Sequence, residues 1–451
     1  MPKIMDGLVN YVVDTSYDDL PSEVIDYAKK LILSSVGGMI AGSIQAEAKI
    51  VGNYVKKHPG VPEATVVGGK VKTSAQDAAL ANGTFTHASE LEDNYFPSGG
   101  STFSTIPCAL ALAEALGSSG KDCLEAFIVG QEIGARVTGV APGGAAHGFM
   151  PLSILGCAAV AAKLLKLDAN KTANALSLSA SYAGGLLRQS GAGAHFIEAG
   201  IAAADGITSA LLAQDGFTGR PEIIECPGGL VDAMAGKDGY NFDGLIESLG
   251  KPNRVMEIGI KKYPCCWIEH RLIDGLLDIK KEYNLRPEDI ASMEIYIGPY
   301  TTHLVRYHDP TTVEEGRFSF EHSFAAVLLE KDVVFNLVPW GSEEKLADSQ
   351  YQKVQKALNI KEIIDNREWK VGAGVDELIV NLKNGKKYQK TIPTARGVPP
   401  LYLTMEEVVA KFNSCVDYGK LLSKQAAERV CQLILSLEKA SNVHEIMSLL
   451  A

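Results

Sequence analysis

Residues 87–95, HASELEDNY, gather one histidine, two glutamates, one aspartate, one asparagine and one tyrosine into nine positions. Side chains of these types exchange protons, hold cations or orient a polar ligand, so the stretch is read first as one wall of a cleft. Its plainer reading is a helix-terminus loop whose acids offset the helix dipole. His87 and Glu90 stand three apart, which puts both on one face of a helix and is a spacing used in di-iron bundles. Such a centre also draws carboxylates from other helices, and we expect no metal here.

The nine histidines are few enough to weigh singly. His58 and His444 sit in polar, surface-like contexts. His303 and His308, in TTHLVRYHDP (301–310), read as loop residues. His87, His195, His270 and His322 are the four candidates for chemistry, since an imidazole near its ordinary pKa of about 6.5 is suited to proton exchange. A lone histidine is more often a satisfied structural residue. GAGAH (191–195) is glycine-rich, but no strand precedes it and its spacing is wrong for a dinucleotide turn. With no GxxxxGK[ST] loop and no GxSxG elbow, what remains is cofactor-free acid–base chemistry through His, Glu, Lys and Tyr. The eight cysteines are scattered without a CxxC pair, and Cys265 and Cys266 are adjacent, which suits reduced thiols better than a zinc site or a disulfide scaffold.

Positioning such residues is the task of two kinds of sequence. To about residue 260 the chain is helical in period and rich in Ala and Gly. PSEVIDYAKKLILSSVGGMIAG (21–42) is one helix. CALALAEALGSSGKDCLEAFIVGQEIGARVTGV (108–140) reads as two helices joined by GSSGK. Small residues let such helices approach closely. From about 285 the character changes. ASMEIYIGP (291–299) alternates like a strand, and DELIVNLKNGKKYQKTIP (376–393) is a hairpin about Asn384-Gly385. SFEHSFAAVLLEK (319–331) is a helix between them, and helical sequence returns after ARGVPPLYLT (395–404). The fold class expected is mainly α: a large all-α domain built from both chain ends (1–264 and 399–451) and a smaller inserted α+β lid domain (265–398). The cleft between them is the expected site.

A chain of 451 residues divides into two or three domains. Its 46% hydrophobic and 22% charged residues suit a packed globular protein. The net charge of −11 argues against nucleic-acid binding, although a locally basic pocket still takes an anionic substrate. The longest apolar stretch identified, ILGCAAVAAKLL (154–165), is about half of what a bilayer requires and contains a lysine, so no membrane partner is expected. The N-terminus lacks the basic front and apolar middle of a signal peptide, and the chain reads as cytoplasmic.

Residues 82–116, NGTFTHASELEDNYFPSGGSTFSTIPCALALAEAL, resemble the NGxxxHaxdfDD…P.alalaE segment of the MmgE/PrpD family. IVGQEIGARV, AAADGITSALLAQDGFTG, KKYPCCWIEHRLIDGLLDI, RFSFEHSFAAVLL and ARGVPPLYLTMEEVVAKF fit further family segments in order, over nearly the whole chain. The resemblance implies a helical domain with an α+β lid, a homodimer, and removal of a proton from carbon beside a carboxylate without a cofactor. Position by position, it places His87 on the motif histidine, Glu90 on the motif aspartate, and Asn94 where a polar residue approaches the substrate. His195 stands where a lysine is common and Glu198 where a histidine often lies. His270 follows the Lys-Tyr-Pro segment, and His322 falls on a position that is tyrosine in many relatives. Two family histidines are Gly100 and Met150 here. Their loss removes donors for anionic oxygens, each charge-assisted bond being worth about 1.5–3 kcal/mol. A tricarboxylate is expected to bind poorly unless His147 compensates.

The reading that follows is a lyase of dehydratase type acting on a small organic acid. His270 or His195 is the base; Arg188, Lys262, Asn94 and His87 hold the substrate; and Glu90 is the acid, with Tyr95 and His322 as further candidates. The plainer reading of Arg188 and Lys262 is ordinary surface or interhelical charge. An epimerase with His195 and His270 on opposite faces of one carbon is the nearest alternative. A non-catalytic ligand-binding relative is the other.

Overall fold

The computed structural model describes residues 4–95, 99–100, 102–140, 149–236, 239–364 and 375–451. The chain is mainly helical with small sheets. It forms two compact units: Met1–Leu186, Phe196–Ile258 and Met405–Ala451 make the first, and Leu187–His195 with Gly259–Thr404 the second. Three details differ from expectation. The segment 187–195, which carries Arg188 and His195, belongs to the smaller unit, and the rest of that unit begins at Gly259 rather than 265 and runs on to Thr404 rather than ending at 398.

In the larger unit, Ser22–Gly42 is a core helix, buried along most of its length. The 108–140 stretch forms Thr102–Leu116 and Gly120–Gly139. The first of these starts six residues earlier than the apolar run suggested, so Pro107 lies inside it. Ser119 caps the second, accepting a hydrogen bond from the Asp122 backbone N–H. Glycines set how closely the helices pass. A Cβ on Gly200, in Ala194–Gln214, would lie 2.1 Å from the Leu80 carbonyl oxygen, and one on Gly42 would lie 1.7 Å from that of Phe85. Helix Ala75–Ala88, which bears His87, is therefore seated on two neighbours where only hydrogen fits. Two short antiparallel pairings, Ala64–Val66 with Val71–Thr73 and Asn94–Tyr95 with Gly99–Gly100, were not foreseen in this helical half.

Ala194–Gln214 also corrects the membrane reading. It is long and apolar enough to cross a bilayer, unlike the 154–165 stretch taken as the longest candidate. Within its best window 61% is buried inside the protein. Phe196, Ala199, Ala203, Ile207 and Ala210 fill the interior, as in a core helix.

The smaller unit is built on a four-stranded sheet. Ile290–Ile297 pairs in parallel with Ile360–Ile364 and antiparallel with Asp376–Leu382, which pairs in turn with Lys387–Ile392. Alternation along Ile290–Ile297 buries Ile290, Met293, Ile295 and Ile297. Helices His270–Tyr283 and Phe320–Leu329 contribute to the same core. The hairpin lies where Asn384-Gly385 placed it, but only Gly385 takes a positive φ, of +83°. The Leu382 N–H bonds the Lys386 carbonyl, so the connection is the three residues Lys383, Asn384 and Gly385.

Candidate active-site residues

In the larger unit, His87 occupies the last turn of Ala75–Ala88. Its ring is stacked on Phe103 at 4.3 Å and stands edge-on to Phe196 at 5.6 Å. The chain then turns sharply. Glu90 adopts a left-handed φ of +51°, unusual for a side chain with a Cβ, and its N–H bonds the His87 carbonyl. The turn brings the Glu90 carboxylate to 3.9 Å from His87 Nε2, with both residues buried. Glu92, Asp93 and Asn94 are buried as well. Asn94 donates from Nδ2 to the Glu92 carbonyl at 3.3 Å, and its backbone pairs with Gly100. Tyr95 is buried beside Glu257, and burial pushes its phenol well above the usual range. Met150 lies at the start of helix Phe149–Leu164, and His147 lies outside the described residues.

Sequence reasoning missed what supports this knot. Asp93 accepts from Ser34 Oγ at 2.7 Å and from Lys411 Nζ at 3.1 Å, while Lys411 also donates to the Leu91 carbonyl at 2.7 Å. Asp93 and Lys411 are both fully buried. Lys411 sits among Val408, Phe412 and Cys415 on the buried face of Met405–Gly419. A lysine inside an apolar stripe is a visible signal that a buried acid must face it, but which acid is a tertiary fact. A second such pair was also missed. Glu132 accepts from Arg136 Nε at 2.6 Å and from the backbone N–H groups of Gly250 and Arg254, fastening helix Gly120–Gly139 to the 250–254 loop.

In the smaller unit, the KKYPCC segment and the helix after it form a compact polar cluster. His270 Nε2 lies 3.0 Å from the Tyr263 carbonyl oxygen. Since a carbonyl only accepts, Nε2 carries the proton of the neutral ring and Nδ1 keeps the lone pair. Burial holds the His270 imidazole well below its ordinary pKa, and the Lys261 and Lys262 ammonium groups push the same way against the Tyr263 and Cys265 carbonyls. Both lysines are buried. The Tyr263 hydroxyl donates to Asp274 at 2.7 Å, and the Arg396 backbone N–H reaches the other oxygen of that carboxylate at 2.7 Å. Burial raises the Asp274 carboxyl despite these bonds.

The remaining candidates are placed differently. His322 lies 2.8 Å through Nε2 from the Pro339 carbonyl and 3.0 Å through Nδ1 from the Gln355 side-chain amide, so both ring nitrogens are engaged. Arg188 is exposed, in the short 3-10 turn Leu187–Gln189. His195 is buried, with its ring edge-on to Phe318 at 5.5 Å. The chain leaves the smaller unit there, and the next residue, Phe196, belongs to the larger one. None of the eight cysteines is in a disulfide.

The HxxE spacing in fact occurs twice, at His87–Glu90 and at His195–Glu198 in the first turn of Ala194–Gln214. The expectation of no metal overlooked the second. Among the described residues, neither unit by itself brings together three side chains able to hold a metal ion.

Sequence comparison adds a lineage to this geometry. The MmgE/PrpD N-terminal domain matches residues 6–243, and the MmgE/PrpD C-terminal domain matches 263–439. The chain belongs to the MmgE/PrpD family. It is similar to the cis-aconitate decarboxylase of Homo sapiens, 25% identical over 449 residues that cover 96% of this chain and 91% of that protein. It is also similar to the cis-aconitate decarboxylase of Aspergillus terreus, 23% identical over 481 residues covering 98% and 95%. That of Mus musculus is 23% identical over 465 residues, covering 100% and 94%. The family's C-terminal match runs past Thr404, whereas residues from Met405 onward fold with the larger unit.

Proposed function

We propose that this protein is a lyase that removes a proton from carbon beside a carboxylate of a small organic acid and expels a leaving group, without a cofactor. The observation that carries the reading is His270, an imidazole kept neutral by burial and by the charge of two buried lysines, with its tautomer set by the Tyr263 carbonyl. The C–H electron pair moves toward the carboxylate as His270 Nδ1 takes the proton. Lys261 and Lys262 oppose the enolate-like charge, where a charge partner in a dry site acts most strongly. A bound carboxylate would also offset the repulsion those lysines exert on His270, making the imidazole a better base in the complex than in the free protein. His195, which belongs to the same unit as His270, is proposed to return a proton to the leaving group. His322, with both nitrogens engaged, is left out of the machinery.

The names of the relatives support a lyase. In a decarboxylation the C–C electron pair would take the place of the C–H pair, carbon dioxide would leave, and the carbon would take up a proton from the protonated imidazole or water. The residues at 100 and 150, glycine and methionine, favour an acid with fewer carboxylates than cis-aconitate. The test is incubation with a panel of di- and tricarboxylic acids in heavy water, followed by NMR. Loss of water or carbon dioxide is expected, and His270→Gln should lower the rate by about a hundredfold or more. Solvent deuterium entering a racemised but otherwise intact acid would replace the lyase with an epimerase. Binding without turnover, indifferent to His270→Gln, would leave a ligand-binding protein.

A further inference from the structure

We infer that Arg306 and Tyr307 are positioning residues for His195, clamping the Leu187–His195 segment into the smaller unit; the inference rests on the reaction proposed above only for what His195 then does. That segment is nine residues long and is separated by more than sixty positions from the rest of its unit, so bonds rather than chain continuity must hold it. Arg306 Nη2 donates to the Ser190 carbonyl at 2.8 Å and to the Arg188 carbonyl at 3.0 Å. The Tyr307 hydroxyl donates to the same Ser190 carbonyl at 2.9 Å. Arg306 is braced in turn, donating from Nη1 to the His303 carbonyl at 2.7 Å and lying over the Tyr307 ring at 4.8 Å.

Beyond Ser190 the segment is set by packing. Gly191 has a φ of +85°, and a Cβ there would lie 2.3 Å from the Tyr307 ring, so the turn lies flat on that ring. Turn hydrogen bonds then run from the Ala192 N–H to the Gln189 carbonyl and from the His195 N–H to the Ala192 carbonyl, carrying the geometry to His195. The His195 ring meets Phe318, whose carbonyl accepts from the Tyr307 backbone N–H. Arg306, Tyr307 and Phe318 thus hold the segment at both ends. Misplacing a catalytic group by about 1 Å lowers a rate by roughly a hundredfold, so a clamp of this kind matters even though it touches no substrate.

The experiment compares the full-length parent with Tyr307→Phe, Arg306→Ala, Arg306→Lys and His195→Ala. Amide exchange over 187–195 should quicken by roughly tenfold in Arg306→Ala and less in Tyr307→Phe, with Arg306→Lys partly restoring protection. The ring C2–H resonance of His195, identified by its loss in His195→Ala, should shift in the two clamp-breaking variants while that of His322 stays in place. Unchanged exchange and an unmoved His195 resonance in Arg306→Ala would overturn the clamp, and the His322 signal guards against mistaking general unfolding for its loss. With whichever acid the panel turns over, Arg306→Ala should lower kcat with little change in KM. Full activity in His195→Ala, alongside a shifted resonance in Arg306→Ala, would remove His195 from the reaction and leave the clamp standing.

Discussion

At the scale of single residues, two buried histidines of the same unit illustrate how surroundings assign roles. His322 spends both nitrogens on Pro339 and Gln355, whereas His270 is tied at Nε2 and stands beside two lysines. We expect His322→Gln to leave turnover within a fewfold of the parent where His270→Gln lowers it by about a hundredfold or more, measured on the same acid. Since His270 is neutral down to unusually low pH, the acid limb of kcat/KM should fall below the ordinary imidazole range; a limb above pH 7 would point to a different base. The Asp93–Lys411 pair makes a separate prediction about stability. Lys411→Met leaves a carboxylate buried without its cation, which costs about 3–5 kcal/mol. Urea unfolding should show that loss, and Asp93→Asn combined with Lys411→Met should recover part of it. A single variant as stable as the parent would mean that the pair is not desolvated.

Among elements, the helix bearing His87 owes its place to glycines rather than to its own weakly amphipathic sequence. A methyl group at Gly200 has to displace the Leu80 carbonyl, so Gly200→Ala should destabilise by about 1–3 kcal/mol. Gly139 ends helix Gly120–Gly139, and a Cβ there meets nothing within 4 Å among the described residues. Gly139→Ala should be neutral or stabilise by about 0.4–1 kcal/mol. Thermal or urea unfolding of the two variants separates the readings, and equal effects would refute the close crossing. The long helices, the Ile290–Ile297 strand and the Asn384-Gly385 hairpin were legible because periodicity and turn chemistry are local. The short pairings at 64–73 and 94–100 were not, since two- and three-residue strands carry no period to detect.

For the whole molecule, the buried imidazoles link stability to pH. His270 and His322 are both held below their ordinary pKa, chiefly by burial. Near pH 6.5 the unfolded chain therefore takes up protons that the folded chain refuses, and their contribution is present above that pH and lost below it. Asp376, pushed up to about 6 by burial against the pull of Arg271, acts in the opposite sense at lower pH. The largely exposed His308, raised by Glu321, opposes weakly. Unfolding free energy should thus drop by about 1 kcal/mol between pH 7.5 and 6, and His322→Gln should shrink the drop; a flat profile would contradict both burials. By itself the sequence determined the mainly helical character, the family and the identity of His270 as a candidate base, because each is written in local pattern or in residues adjacent along the chain. Only the tertiary structure decided that Lys411 answers Asp93, that His322 is saturated, that Lys261 joins Lys262 beside His270, and that 187–195 belongs with residues more than sixty positions away. Those are pairings between distant segments, and no local pattern records which buried donor will meet which acceptor.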